Sequence, residues 1–135
     1  LKVYLGFAPG GGKTYEMLQE AHRLRKQGVD VVVGVVETHG RADTAALVEG
    51  LEQVPKRTVE YRGITLDEMD VDAILARRPT VALVDELAHT NAPGGKHAKR
   101  YEDVEELLRA GVNVLSTLNV QHLESLYDAV ERVTG

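Results

Sequence analysis

The chain has 135 residues, of which 43% are hydrophobic and 27% charged, and its formal net charge at pH 7 is -5. This is the composition of one ordinary globular domain, and the negative charge argues against general nucleic-acid binding, which favours basic surfaces. The sequence contains no cysteine, which excludes disulfides, cysteine-ligated metals and thiol nucleophiles and fits a reducing compartment.

No apolar run in the sequence approaches the ~20 residues needed to span a bilayer, and no signal peptide is visible. We therefore expect this piece to be soluble and cytoplasmic, without direct membrane insertion. The chain begins at Leu1 inside a predicted strand and stops at Gly135 as the last predicted helix closes. We expect it to be an excerpted domain with an incomplete sheet.

The first predicted element is a strand at residues 3–7 that runs into a glycine-rich turn and a helix, within LKVYLGFAPGGGKT. Consecutive glycines let several backbone N–H groups face one anion, and the helix N-terminus adds its dipole. Lys13 supplies a positive charge and Thr14 a hydroxyl for a metal ion. We interpret this stretch as a phosphate-binding P-loop; the alternative is a glycine turn that happens to end in Lys-Thr.

One position departs from the strict P-loop pattern G-x-x-x-x-G-K-[ST], because Phe7 stands where the first glycine is expected. That glycine mainly eases the turn out of the strand, and the effect of Phe7 on the geometry of the loop is open. The residues predicted to bind the phosphates are Gly10, Gly11, Gly12, Lys13 and Thr14.

Helices and strands alternate along the rest of the sequence. A helix over residues 13–27 is followed by an apolar strand at 30–37. The second helix is marked by Leu47, Leu51 and Val54, with Asp43 as a candidate N-cap and Pro55 beyond its end. The remaining predicted segments are a strand at 58–61, a polar connection at 63–72, a short helix at 71–76, a strand at 81–84, a long loop at 87–100, a helix at 101–110, a strand at 112–118 and a helix at 121–133.

This alternation predicts an α/β fold, with a parallel sheet flanked by helices like that of the P-loop NTPases. Ligand sites in such folds lie at the carboxyl ends of the strands. That rule gathers the P-loop, residues 37–39, residues 85–86 and residues 117–119 at one edge of the sheet. The sequence therefore predicts one polar site at this edge.

The stretch VALVDE fits a Walker B strand, in which four apolar residues are followed by an acid. Asp85 is predicted to hold Mg²⁺ opposite Thr14, and Glu86 to orient or deprotonate an attacking water. The alternative is that Asp85 caps the following turn. Because the sequence has neither Asp-x-x-Gly after this strand nor an Asn-Lys-x-Asp motif, ATP is favoured over GTP.

P-loop proteins with such an acidic pair usually insert a further strand between the P-loop strand and the Walker B strand. By that analogy, strand 112–118 lies between strands 3–7 and 81–84. Thr117 or Asn119 then serves as a polar sensor of the γ-phosphate or of the attacking water. The alternative for Asn119 is that it caps the last helix.

The loop at 87–100 is longer than a simple connection needs, which favours a functional loop. Lys96, Lys99 and Arg100 could clamp a γ-phosphate, although a run of this kind is more often a solvated loop. The five histidines lack metal-ligand spacing, so we do not expect them to build a metal site.

Three stretches closely resemble the N-terminal cytoplasmic domain of the KdpD sensor kinases, which are potassium- and turgor-responsive bacterial histidine kinases. They are VVVGVVETHGRADTAALVEGLE, TVALVDELAHTNAPGG and NVLSTLNVQHLESLYDAVERVTG, and the resemblance covers essentially the whole chain. Within them, ETHGR, DELAHTNAPG and NVQHLESL are the most distinctive. The family starts its P-loop with alanine, so Phe7 departs from the family as well as from the strict pattern.

The resemblance implies an ATP-binding regulatory domain of a two-component sensor anchored in the bacterial inner membrane. Such a domain precedes a universal-stress-like domain, membrane helices and a transmitter module, and it continues past Gly135 with another strand. It biases the balance of kinase and phosphatase activity toward a response regulator that controls potassium transport. The phosphoaccepting histidine belongs to the transmitter, so this fragment is not expected to autophosphorylate.

Two other readings of the sequence stay open. One is a stand-alone P-loop ATPase or small-molecule kinase on the same scaffold, in which Glu86 would support hydrolysis. The other is a purely structural interaction module with a degenerate loop that binds no nucleotide.

Overall fold

The computed structural model of the chain describes residues 1–6 and 12–119. Within these residues the elements are β1 (Lys2–Gly6), α1 (Lys13–Lys26), β2 (Val31–Val35), α2 (Ala42–Glu49), β3 (Glu52–Gln53), β4 (Arg57–Tyr61), β5 (Ile64–Glu68), α3 (Val71–Arg77), β6 (Val81–Val84), α4 (Arg100–Arg109) and β7 (Asn113–Asn119). The predicted helix at 121–133 lies outside the described residues, as do Phe7, Gly10 and Gly11.

A five-stranded sheet in the order β1-β7-β6-β2-β3 forms the centre of the fold. Every neighbouring pair in this sheet is parallel. The predicted insertion of the last strand is therefore confirmed, because β7 pairs with β1 on one side and with β6 on the other. The predicted α/β class with a parallel sheet is also confirmed, whereas the assignment to a P-loop NTPase-like fold stays a prediction.

Helices cover both faces of this sheet. Helices α1 and α2 pack on the face that presents Val33, Leu83 and Leu115. Helices α3 and α4 pack on the opposite face, which presents Ala82 and Val114. Because side chains alternate between the faces of a strand, a strand covered on both sides is apolar at every position. This is why VVVGV and VALV are buried along their whole length.

A bulge at Gly34 shifts the register between β2 and β6. Val33 lies opposite Leu83, but Val35 lies opposite Val84, so Gly34 is an extra residue in β2. A Cβ atom at Gly34 would lie 2.8 Å from Ile74 Cδ1 and 3.1 Å from the carbonyl oxygen of Leu83. Only glycine leaves room for this close approach.

The segment at 57–68 differs from its prediction. Strands β4 and β5 form a separate antiparallel pair, with Tyr61 opposite Ile64. The connection is Arg62-Gly63, with φ angles of 51° and 77°, and two left-handed residues are what a tight two-residue hairpin turn requires. The prediction that 63–72 is only a polar connection was wrong, because β5 occupies its first half.

Helix α2 is shorter than predicted. It begins after Arg41, so Asp43 lies inside its first turn and is not the N-cap, and it ends at Gly50. Leu51 and Val54 lie beyond the helix but are still buried in the core. The helical spacing of these apolar residues was therefore misleading, because burial in the core does not require that they share a helix.

The other described predictions hold within one or two residues, for α1, β2, α3, β6, α4 and β7. No helix among the described residues is long and apolar enough to cross a bilayer.

Candidate functional site

The carboxylate of Asp85 lies at the centre of the predicted site and is fully buried. The Thr14 hydroxyl, in the first turn of α1, lies 3.3 and 3.2 Å from the two Asp85 carboxylate oxygens. The backbone N–H of Glu37, just after β2, donates to Oδ2 at 3.0 Å. The Thr117 hydroxyl of β7 donates to Oδ1. This one carboxylate therefore contacts α1 and the ends of two neighbouring strands.

The turn after β6 is held from both sides. The backbone N–H of Asp85 donates to the Val35 carbonyl at 2.9 Å, and the N–H of Leu87 donates to the Thr117 carbonyl at 2.9 Å. The N–H of Glu86 lies 3.1 Å from Asp85 Oδ1 and 3.0 Å from Thr117 Oγ1. The Asp85 side chain thus accepts from the next N–H in the chain and also faces Thr14, so the magnesium role and the capping role both stay predictions.

Two residues at this edge adopt left-handed backbone conformations. Glu86 has a φ of 53° and His39 a φ of 52°. Non-glycine residues in this region are strained by about 1–2 kcal/mol each, and such strain is concentrated at functional sites. The Glu86 carboxylate is 41% exposed and lies 3.4 Å from His39 Nε2. The Glu86 side chain therefore reaches solvent, whereas the neighbouring Asp85 does not.

The other predicted phosphate ligands that the structure describes lie beside Thr14. Gly12 is the N-cap of α1, and Lys13 is its first residue. The Lys13 ammonium is 41% exposed and lies 3.2 Å from Glu16 Oε2. Asn119 ends β7 opposite Gly6 of β1, at the same edge of the sheet. The ligand roles of these residues stay predictions.

The three cations of the predicted phosphate clamp in the 87–100 loop have different partners in the structure. Lys96 donates to Asp72 at 2.8 Å and to Glu106 at 2.7 Å. Lys99 donates to the Thr90 hydroxyl at 2.8 Å. Lys96 thus holds the loop against α3 and α4, whereas the Lys99 contact lies within the loop. The clamp stays a prediction.

Arg100 differs from both lysines because it is buried, with 2% of its surface exposed. Its Nη1 donates to the Asp85 carbonyl at 2.8 Å, and its Nη2 lies 3.8 Å from Glu68 Oε2. Burial lowers the pKa of the Arg100 guanidinium, and the neighbouring carboxylates of Glu68, Glu86, Asp85 and Glu37 raise it. A guanidinium stays charged in proteins, so a positive charge lies directly behind the site.

Glu68 is the residue of this region that sequence reasoning missed. It is buried at the end of β5, and both its carboxylate oxygens lie 3.1 Å from His89 Nε2. It also accepts from the backbone N–H of Ala92 at 2.9 Å. The two-residue turn Arg62-Gly63 is a signal for the second hairpin strand. Nothing in the pattern of β5 marks Glu68 as buried, because the other four residues of the strand are exposed.

A parallel sheet flanked by helices, with a buried acid at its carboxyl edge, defines an α/β domain whose candidate ligand site lies at that edge. The family model described as "KdpD: Osmosensitive K+ channel His kinase sensor domain" matches residues 1–135. The chain belongs to this family.

The relatives named "Sensor protein KdpD" include proteins from three distant bacteria. The chain is 62% identical over 135 residues to the proteins of Mycobacterium tuberculosis and Escherichia coli. It is 52% identical over 134 residues to the protein of Clostridium acetobutylicum. The match covers 99–100% of this chain but only 15–16% of each relative. The chain therefore corresponds to a small part of much longer proteins.

Proposed function

We propose that this chain is the ATP-binding regulatory domain of a KdpD-type sensor histidine kinase. The observation that carries the proposal is the contact between the Thr14 hydroxyl and the fully buried Asp85 carboxylate, at 3.2–3.3 Å. This contact joins the start of α1, at Gly12-Lys13-Thr14, to the acid after β6. A P-loop and a Walker B strand are arranged in the same way.

The donor set fits magnesium bound together with a nucleotide. Mg²⁺ prefers oxygen ligands and takes one or two from the protein, with the others from water and phosphate. Thr14 and Asp85 offer a hydroxyl and a carboxylate. Among the described residues, no group of three or more histidine or acidic side chains is placed to hold a metal ion. We therefore expect Mg²⁺ to bind with ATP, whose phosphates would also draw Lys13 away from Glu16.

The role in signalling is proposed from the family. Its description names an osmosensitive potassium system and a histidine kinase, and the relatives are named sensor proteins. In such a receptor this domain would lie in the cytoplasm of a protein anchored in the inner membrane. ATP binding would shift the balance of kinase and phosphatase activity, and thereby the response regulator that controls potassium-transport genes.

Calorimetry with Mg-ATP tests the proposal directly. Lys13→Ala is expected to abolish tight binding, because the ammonium that meets the phosphates is removed. Lys26→Ala at the other end of α1 makes the same change of charge and is expected to bind like the wild type. Unchanged affinity in Lys13→Ala would contradict the assignment of the P-loop.

Thermal unfolding separates this proposal from a purely structural module. A ligand at 100 times its Kd stabilises the folded state by about 2.7 kcal/mol, which raises Tm by several degrees in a domain of this size. A structural module that binds no nucleotide would show no rise with Mg-ATP.

A second candidate function is that of an ATPase or small-molecule kinase. The observation that favours it is the exposed Glu86 carboxylate next to the buried Asp85, since a water-orienting acid must reach the reacting phosphate. A phosphate-release assay decides between the two. Steady turnover that is lost in Glu86→Gln supports the enzyme, whereas binding without turnover supports the regulatory domain.

A further inference from the structure

We infer that Arg100 is a positioning residue that couples the occupancy of the nucleotide site to the β4–β5 hairpin, through its contact with Glu68. The inference rests on the proposed binding of ATP, and it adds the route by which binding reaches another surface of the domain. We call residues 87–99 the site loop.

One end of this route touches the site. The Arg100 guanidinium donates to the carbonyl of Asp85 at 2.8 Å, and that residue carries the central carboxylate. Glu86 and Glu37 contribute further negative charge to its surroundings. Because Arg100 is buried, these charges act on it with little screening by solvent.

The other end touches the hairpin and the site loop. Glu68 is the last residue of β5 and lies opposite Arg57 of β4. The same carboxylate contacts the His89 ring and the Ala92 N–H, both in the site loop. A movement of Glu68 or of Arg100 would therefore affect the positions of both the hairpin and the site loop.

The contact between the two residues is only partly made. Their closest atoms, Nη2 and Oε2, are 3.8 Å apart, which is too long for a hydrogen bond. The buried Nε of Arg100 finds no partner among the described residues. Unsatisfied buried donors are costly, so the present position of the guanidinium is not optimal. A small shift that brings Nη2 closer to Glu68 Oε2 would gain a charge-assisted hydrogen bond.

The charges at the site decide which arrangement is favoured. Without a ligand, the acids at the sheet edge attract the guanidinium. Mg-ATP is a net anion, but it would place Mg²⁺ against the Asp85 carboxylate and its phosphates against Lys13. The ligand charge on the Asp85 side of Arg100 would then be the cation, which would offset that attraction and leave Glu68 as the stronger partner. Ligand binding would therefore shift the guanidinium between two positions, one toward the acids at the sheet edge and one toward Glu68. A contact with two such arrangements is the physical requirement for coupling between two places in a protein.

Amide hydrogen exchange with and without a magnesium-bound, non-hydrolysable ATP analogue tests the inference. In the wild-type chain we expect the analogue to slow exchange at 57–68 and 87–99 by at least about twofold. Glu68→Gln is expected to bind the analogue within about threefold of the wild-type Kd but to lose this response. Glu60→Gln, on the exposed polar face of the same hairpin, is the matched control and should respond like the wild type.

A double variant guards against misfolding. Removing one partner of a buried ion pair can destabilise a protein strongly, whereas replacing both is often tolerated. Glu68→Gln with Arg100→Met removes both charges of this pair, and it should fold, bind the analogue and show no response in either segment. That result supports coupling rather than a merely structural contact.

The outcomes distinguish the two proposals. If the wild type does not bind the analogue, the proposed function and the coupling both fail. If it binds and the two segments do not change, or if Glu68→Gln and the double variant respond like the wild type, the coupling alone is overturned.

Discussion

Glu86 shows at the scale of one residue how a position predicted to be functional can oppose stability. Its φ of 53° places it in the left-handed region, where glycine is accommodated without strain. We expect Glu86→Gly to raise the free energy of unfolding by about 1 kcal/mol. Urea denaturation of the ligand-free protein measures this. Glu86→Ala removes the same carboxylate but keeps the strain, so the explanation is wrong if the two variants are equally stable.

Asp103 offers a second prediction at the residue scale, because burial raises the pKa of its carboxyl group. An acid whose folded-state pKa is raised is protonated more readily in the folded protein than in the unfolded chain. Stability is therefore greatest below the unfolded-state pKa and falls as pH rises from that value to the folded-state pKa. Above the folded-state pKa the full cost of the buried charge remains.

Asp103→Asn removes this ionisation and keeps an oxygen that can accept from Asn91, which donates to Asp103 at 2.8 Å. We expect the variant to melt a few degrees higher than the wild type at pH 7. The difference should shrink as pH is lowered toward the ordinary aspartate pKa of about 3.9. Thermal melts over this range are the measurement, and a difference that grows on acidification would contradict the predicted sign.

At the scale of elements, the β4–β5 hairpin depends on its turn. Gly63 has a φ of 77°, and a Cβ atom there would meet nothing within 4 Å. Gly63→Ala therefore tests backbone strain alone, at an expected cost of about 1 kcal/mol. Arg62→Asn should act in the opposite direction, because asparagine tolerates the left-handed region and favours this type of turn.

Hydrogen exchange of the hairpin amides measures both variants, since a two-stranded hairpin opens locally. Exchange should be about fivefold faster in Gly63→Ala, as about 1 kcal/mol implies, and slower than wild type in Arg62→Asn. Equal exchange in all three proteins would show that packing, and not the turn, sets the stability of the hairpin.

The same elements show how far the sequence alone reaches. The buried strands and α4 could be predicted because uniform apolar runs and helical spacing reflect local rules. The end of α2 could not, because Leu51 and Val54 are buried by the core after the helix has stopped at Gly50. The surroundings of Arg100 could not be predicted either, since the neighbouring carboxylate, Glu68, belongs to a separate hairpin.

At the scale of the whole molecule, the candidate site depends on the order of strands. The sequence predicted that Thr14, Asp85 and Thr117 share one edge, because parallel strands bring their carboxyl ends together. It did not predict how the carboxylate is held, since the hydroxyl of Thr117 and the N–H of Glu37 reach it only once β7 and β2 flank β6. Contacts across strands are decided by register, which a local pattern does not encode.

The close packing of α3 against the Gly34 bulge connects that strand order to stability. A Cβ atom at Gly34 would lie 2.8 Å from Ile74 Cδ1, 3.1 Å from the Leu83 carbonyl oxygen and 3.2 Å from Met69 Sδ. We expect Gly34→Ala to cost about 1–3 kcal/mol by overpacking. Ile74→Val removes the Cδ1 atom and should cost about 0.5–1.5 kcal/mol by itself.

The double variant decides whether this one clash is the cause. If the new Cβ atom pushes α3 away, deleting Cδ1 should relieve the clash. The double variant should then lose less stability than the sum of the two single variants, by at least about 0.5 kcal/mol. Urea denaturation of the four proteins closes the cycle. Strict additivity would instead place the cost at the other two contacts, the Leu83 carbonyl oxygen and Met69 Sδ, and would show that the contact with α3 is not its cause.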